Sequence, residues 1–401
     1  MRSIGSLVVF ACVCLVLILS APLMATHVEA AATSKPIRIG FLLTQTGYGA
    51  MGPWEEHGVR LAIDDAGGKI AGRSIELVAE DSATDPSVSL EKARKLVEKD
   101  KVDVLMGPVM GSCSPGVAVY AKEAGIPYIF NCQHSREVIL SGGKYAFNPM
   151  GTTAWESYPI GRYVFEEMGA RSINVIHDDF DQIVEIGTIA IEAFRRRGGK
   201  LVQRQRTPLG TVDYVPNVSV MKKADVVLMW FVPFNALRFT SQYFDAGRKM
   251  PLVMFGNPTL NEMDLPMVGD RAIGMIATAP VTCGIDIPPM KAFIDRWLKK
   301  YGHLTEKEGR YPRKHEGIFN YVAVQMYLEA VKATGGDPSA DRIRDALLNI
   351  RVETPGGWVS FTPEGIGIGD IYVLKVVKEG DRLYWKDIHT YKQVARDIPP
   401  E

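Results

Sequence analysis

The chain is poor in cysteine: five occur among 401 residues. Two of them, Cys12 and Cys14, lie in the apolar stretch at the start, and Cys113, Cys132 and Cys283 make no CxxC pair and join no Cys/His cluster at metal-ligand spacing. That excludes a disulfide-framed fold and gives a structural metal site no support. Neither charge is in excess, because 46 Lys plus Arg balance 46 Asp plus Glu. With no basic block interleaved with aromatics, nucleic acid is not an expected partner. Past the first twenty residues there is also no apolar run long enough for a membrane span, which takes roughly 20 residues.

What the start does carry is a secretory signal over residues 1–32. Arg2 supplies the positive end, Leu7 to Leu19 the apolar run, and Pro22 with Ala30, Ala31 and Ala32 the small-residue cleavage region. The mature chain is expected to begin near Ala31 to Thr33, outside the cytoplasm. A lipoprotein reading would acylate Cys12 or Cys14, but bulky Phe10 and the short run before Cys12 argue against it. About 370 residues remain, enough for two domains. Cys113 and Cys132 both follow expected strands, and two readings stand for them: a disulfide, or two buried free thiols.

From Lys35 onward β-branched runs alternate with amphipathic stretches. Ile37 to Leu43 reads as a strand, Trp54 to Ala66 as a helix and Ser74 to Glu80 as a strand. Pro86 to Lys99 reads as a helix capped by Asp85, with proline at its first position. Strand Val102 to Met106, helix Pro115 to Glu123 and strand Ile126 to Phe130 follow. Strict βαβα order implies a parallel sheet covered by helices on both faces. After the turn-like Asn148 to Gly151, helix Ala154 to Met168 opens a second series. Its strands are Ser172 to His177, Lys200 to Thr207, Val226 to Phe231, Leu252 to Phe255 and Gly274 to Thr278. Helices Val184 to Arg197, Val215 to Lys222 and Asn235 to Ala246 lie between them. The fold class is therefore α/β, with two doubly wound parallel-sheet lobes. Helices Pro289 to Tyr301, His315 to Ala333 and Ala340 to Leu348 come next. Trp358 to Phe361, Tyr372 to Val377 and Leu383 to Trp385 then alternate like antiparallel strands, with Glu379 to Asp381 as the last turn. No low-complexity linker separates the parts, which argues for chain crossovers between lobes.

The segment Ala66 to Leu77, with its glycine pair and Ile70-Ala71-Gly72-Arg73-Ser74-Ile75-Glu76-Leu77, ends on Glu80 and Asp81. It resembles periplasmic leucine/isoleucine/valine-binding proteins. The likeness continues in Thr84 to Pro86, Asp103 to Pro108, Glu123 to Pro127, Val175 to Asp179, Phe244 to Gly247, Ala323 to Gly336 and Gly356 to Pro363, and so spans the mature chain in order. It implies a type I periplasmic binding fold, two lobes joined by three crossovers. Residues 33–149 with 279–355 would form one lobe, and 150–278 with 356–401 the other. It further implies a small-molecule ligand held between the lobes, delivery to the membrane permease of an ABC transporter, no cofactor, and a periplasmic monomer. The same fold resembles amide sensors and receptor ligand domains, so a sensing role stands beside transport.

Open parallel sheets bind ligands beyond the carboxyl ends of their strands, where helix N-termini offer free N–H groups. The loop Thr44 to Pro53 has three glycines that allow close approach, and Met51 and Trp54 are expected to add apolar wall. Gly47, Gly49 and Gly52 also fit a weak dinucleotide pattern, but the acid due about 20 residues on would be Glu76 or Glu80, too far along. The resemblance places a ligand carboxylate on a serine after the strand ending at Met106. Counted without gaps that position is Gly111, with Ser112 next. It places a second contact at His134, with Cys132 two residues before. Ser112 reads equally as a helix N-cap, and His134 as a loop histidine.

In the second lobe the family's aromatic aligns with Gln182, with Phe180 the nearest ring. Trp230 and Phe234, at an apolar strand end, are expected to stack on ligand, against a reading as core aromatics. Relatives that bind α-amino acids carry an acid where this chain has Pro258, which offers neither charge nor donor. A buried ammonium without a counter-charge is costly, so a plain branched-chain amino acid is disfavoured unless another acid substitutes. Glu316 is the candidate, against a reading as an exposed first-turn residue. The expected ligand is a carboxylate, an amide or an amino-acid-like molecule with an apolar or aromatic body. As an enzyme the chain offers only Ser112 with His134, lacking a G-x-S-x-G elbow and an orienting acid. No catalytic residue is expected.

Overall fold

The run Ile37–Leu43 puts Ile37, Ile39, Phe41 and Leu43 on one side and Leu42 on the other, and the fold buries all five. In the computed structural model, which describes residues 35–47, 53–262, 264–302 and 315–395, this strand is central in the first of two sheets. The signal segment, Cys12, Cys14 and Met51 lie outside the described residues. Chain order begins β1 (Ile37–Leu43), α1 (Pro53–Asp65), β2 (Lys69–Ile70), β3 (Arg73–Asp81), α2 (Pro86–Arg94), β4 (Val104–Met106) and α3 (Ser114–Ala124). It continues with β5 (Tyr128–Ile129), α4 (Arg136–Ser141) and β6 (Ala146–Phe147). The sheet order is β2-β3-β1-β4-β5-β6, parallel except for β2. Along β1, Ile37, Ile39, Phe41 and Leu43 face α1, while Leu42 turns to the core under α3. This is the period-2 alternation of a strand buried on both faces.

The second series is α5 (Thr153–Glu166), β7 (Ser172–Asp178), α6 (Asp181–Arg195), β8 (Lys200–Thr207), α7 (Val215–Ser219), β9 (Val226–Trp230) and α8 (Pro233–Asp245). Then come β10 (Leu252–Met254), α9 (Leu265–Val268) and β11 (Ile276–Ala279). Helices α10 (Pro288–Tyr301), α11 (His315–Ala333) and α12 (Ala340–Asn349) follow. Strands β12 (Val352–Thr354), β13 (Gly357–Phe361), β14 (Gly367–Glu379) and β15 (Arg382–Ala395) end the described chain. The second sheet runs β12-β13-β14-β11-β10-β9-β7-β8, with β15 on β14. Strands β7 to β11 pair parallel, and β12 to β15 add an antiparallel set. β12, which precedes residue 355, already pairs within this second sheet.

Asp85 caps α2 as expected, its side chain accepting from the Ser87 and Val88 N–H groups. The helix expected to run to Lys99 changes to a π-turn at Lys95–Lys99. The helix expected over Val215 to Lys222 stops at Ser219, and the last two strands are far longer than expected.

Connections between the halves lie side by side. Asn148 N–H donates to Gly365 O at 2.8 Å and Gly367 N–H to Asn148 O at 2.9 Å. A Cβ on Gly365 would sit 2.3 Å from Ala146 O and one on Gly367 2.5 Å from Pro149 O, so this close pairing of connections requires glycine.

Candidate functional site

The loop after β4 in the first lobe meets the first turn of α6 in the second. The decisive contact is Gly111 against Gln182: a Cβ on Gly111 would lie 2.7 Å from Gln182 Oε1. Two expected site residues from opposite lobes thus meet. Ser112 beside them is exposed, and its hydroxyl lies 4.0 Å from Cys113 Sγ. The N-cap of α3 is Cys113 and no side chain caps the helix, which corrects the reading of Ser112 as a cap.

His134 is enclosed. It is 1% exposed, its Nδ1 lies 2.8 Å from Cys132 O and its Nε2 2.7 Å from Ser114 Oγ. Burial pushes its pKa down to about 4, so the ring is neutral: Nδ1–H donates to the Cys132 carbonyl and Nε2 accepts the Ser114 hydroxyl. The imidazole therefore ties the loop after β5 to α3, with both nitrogens engaged. Cys132 O also accepts from Asn148 Nδ2 at 2.9 Å, which joins this loop to the crossover. Cys113, Cys132 and Cys283 form no disulfide among the described residues, so the disulfide reading of Cys113 with Cys132 gives way to two thiols.

In the second lobe Asp178 ends β7 fully buried. It accepts from Val232 N–H at 2.8 Å and from Asn235 Nδ2 at 3.0 Å, and burial raises its pKa to about 6. These bonds fix the turn that carries Trp230 to Phe234. Trp230 is partly buried on the α6 side of the sheet, its indole N–H enclosed without an acceptor. Phe234 is 77% exposed, on the rim rather than in an enclosed wall. Pro258 is buried in the loop after β10, where Thr259 keeps an unpartnered hydroxyl. Trp54, expected as a ligand wall, packs in the core edge-on to His57. Glu316 lies in the first turn of α11, and its side chain lies outside the description.

Sequence reasoning missed several polar groups. Thr44 Oγ1, Asn131 Oδ1, Gln133 Nε2, Thr153 Oγ1, Trp230 Nε1 and Thr259 Oγ1 are buried without hydrogen-bond partners among the described residues. All six follow strand ends or open α5. Buried polar atoms are normally paired; these six lie at strand ends or open α5, while others such as Asn174 Oδ1, Thr240 Oγ1 and Gln325 Oε1 lie elsewhere in the fold. The available signal was position: each comes within a few residues of an expected strand end.

A model of the periplasmic binding protein family matches residues 36–381. The chain belongs to this family. The amino acid binding protein of Pseudomonas aeruginosa is 30% identical, covering 84% of this chain and 86% of its own. The Leu/Ile/Val-binding protein homolog 6 of Brucella suis is 25% identical over 90% of this chain and 93% of its own. A solute binding protein of an ABC transporter from Rhodopseudomonas palustris, solved with p-hydroxybenzoic acid, shares the fold with a TM-score of 0.81. It is 24% identical, covering 90% of this chain and 98% of its own.

This binding protein is a solute-binding protein and not an enzyme. Among the described residues the hydroxyl–imidazole pair Ser114 with His134 is sealed from solvent, and the far ring nitrogen meets a carbonyl rather than an acid. Among the described residues no group of three or more His, Cys, Asp or Glu could hold a metal, and no helix is long and apolar enough to cross a membrane.

Proposed function

We propose that this binding protein captures a small organic acid or amide, amino-acid-like or aromatic, between its lobes outside the cytoplasmic membrane and passes it to the permease of an ABC transporter. One observation carries the reading: Gly111, beyond a strand end of one lobe, meets Gln182 of the other, and unpartnered buried polar atoms follow strand ends in both lobes. Their kinds are informative. Gln133 Nε2 and Trp230 Nε1 are donors without acceptors, and Thr44, Thr153 and Thr259 are hydroxyls that can donate. Donors without cations suit a carboxylate or carbonyl oxygen. Pro258 leaves its position without an acid for an ammonium group, so an aromatic acid is favoured over a plain branched-chain amino acid. The relatives whose names and solved complexes point to amino acids and to p-hydroxybenzoic acid frame the same two classes. Ligand docks at Ser112 and the loop of Cys132 to His134, and Gln182 and Trp230 then close over it, excluding water and strengthening each polar contact.

The test is thermal unfolding of the protein from residue 33 onward with L-leucine, L-phenylalanine, benzoate, 4-hydroxybenzoate and benzamide. A ligand at a hundred times its Kd stabilises by about 2.7 kcal/mol, worth several degrees. At least one acid is expected to raise the Tm, and the Ser112→Ala, Trp230→Phe double variant to weaken it at least about tenfold, or ~1.4 kcal/mol. Calorimetric affinity unchanged in that variant would sink the site; no response to any of the five would sink the ligand class.

A further inference from the structure

The loop after β5 holds two buried amide side chains of opposite sense, Asn131 and Gln133. Among the described residues Asn131 leaves an oxygen, Oδ1, without a donor, and Gln133 leaves a nitrogen, Nε2, without an acceptor. The Cys132 thiol donates to Gln133 Oε1 at 3.4 Å, which occupies the oxygen end of that amide.

The sense of Asn131 is set from two helices away. Asn320, on α11, donates through Nδ2 to Glu55 O on α1 at 3.2 Å, and a backbone carbonyl only accepts. The Asn320 amide is therefore held with its nitrogen toward α1 and its oxygen toward the loop after β5. That oxygen accepts from Asn131 Nδ2 at 2.7 Å, so Asn131 spends its nitrogen on α11 and keeps its oxygen unspent. Neither amide can turn over alone: a flip of Asn131 sets two oxygens against each other, and a flip of Asn320 does the same at Glu55 O. The frame around them is stiff. α1 and α11 cross so closely that a Cβ on Gly58 would lie 1.9 Å from Gly317 O. Glu55, itself buried, accepts through Oε2 from Thr44 N–H at 2.6 Å, just past the end of β1. Hydrogen bonds thus tie the ends of β1 and β5 together through Glu55 and Asn320, and each end carries a buried oxygen without a partner, Thr44 Oγ1 and Asn131 Oδ1.

We propose that Asn131 Oδ1 is a specificity element, the acceptor for a hydroxyl or N–H of the ligand, and that Asn320 is the positioning residue that holds it as an acceptor. The proposal rests on the cleft beyond these strand ends being the ligand site, and it narrows the ligand to an acid that also carries a hydrogen-bond donor. A site that turns a fixed polar group on a hydroxyl or N–H rejects the analogue lacking it, because that analogue leaves the buried group unpaired.

The test is calorimetry with pairs of acids that differ in that donor: 4-hydroxybenzoate with 4-fluorobenzoate, L-phenylalanine with 3-phenylpropanoate, and L-leucine with 4-methylpentanoate. In the unsubstituted protein the donor-bearing member of at least one pair is expected to bind at least about tenfold more tightly. Asn131→Leu keeps the side chain's bulk without the acceptor, so the ratio within that pair is expected to fall towards one. Asn320→Leu leaves Asn131 in place but lets its amide turn over, and the same ratio is expected to fall. A general loosening of the fold weakens both members of a pair alike and leaves their ratio unchanged, so the ratio separates positioning from stability. Equal affinities within every pair that binds, or a ratio that survives in Asn131→Leu, overturn the acceptor while the cleft stands as a ligand site. A ratio that survives in Asn320→Leu overturns the positioning role. If no member of any pair binds, the reading of the cleft falls and the acceptor falls with it.

Discussion

His134 shows how a loop histidine can serve a site without lending it a proton. Its neutral ring supplies one donor and one acceptor, and Cys132 O and Ser114 Oγ use both. The folded pKa of about 4 lies below the ordinary 6.5, so the unfolded chain binds a proton that the native chain refuses. Stability is untouched above pH 6.5, falls as pH drops below it, and levels off below about 4, at up to ~1.4 kcal/mol per unit. His134→Gln is expected to flatten that acid limb in urea titrations at pH 7, 6 and 5. At pH 7 it should cost about 1–3 kcal/mol, because a buried partner is left unpaired. An acid limb identical to the parent's would mean the ring is protonated in the fold. Asp178 works in the opposite sense: its folded pKa of about 6 lies above the ordinary 3.8, so its stabilising effect is present below 3.8 and lost as pH rises through 6. Asp178→Ala would also leave Val232 N–H without its acceptor, at about 1–3 kcal/mol, while Asn235 Nδ2 keeps Leu209 O at 2.8 Å. The turn under Trp230 should then exchange its amide hydrogens faster.

At the scale of elements, helix crossings place the first lobe's side of the cleft. A Cβ on Gly58 would lie 1.9 Å from Gly317 O, so α1 and α11 touch backbone to backbone. α11 in turn carries Asn320, whose Oδ1 accepts from Asn131 Nδ2 at 2.7 Å and whose Nδ2 donates to Glu55 O at 3.2 Å. Gly58→Ala must push these helices apart, an overpacking cost of about 1–3 kcal/mol, and should lower the Tm while disturbing the Asn131 end of the site. An unchanged Tm would show that α11 can slide. Most of this architecture was legible because period 2 and period 3.6 differ plainly in β1, β3, α1 and α6. The β14–β15 hairpin was legible at its turn and the flanking runs but not in its full length: Ile371 to Leu374 are buried on both faces, and register shifts interrupt the ladder. The candidate site positions were read from strand ends, where the sequence does not give side-chain direction: Trp54 packs in the core, Phe234 is exposed, and the buried Asn131 and Gln133 were passed over.

For the whole molecule, the decisive property is how near the two lobes come. Gly111 has no side chain, and Gln182 fills the space a Cβ would need. Substitutions of rising size at this point should therefore act as a graded wedge. Gly111→Ala meets only the tip of a flexible side chain, which can swing aside, so its effect should be small. Gly111→Leu adds a branched body that Gln182 cannot clear, and the lobes should rest further apart. Neither core is touched, so thermal unfolding without ligand should stay within about 0.5 kcal/mol of the parent, the range of surface changes. Affinity for whichever acid stabilises the parent should fall at least about tenfold in the leucine variant, or ~1.4 kcal/mol, and X-ray scattering with that acid present should report a larger radius of gyration. Gly111→Leu with Gln182→Ala restores the room, so it should recover both the affinity and the smaller radius. If the double variant binds no better than Gly111→Leu alone, the loss comes from the loop after β4 and not from the distance between lobes.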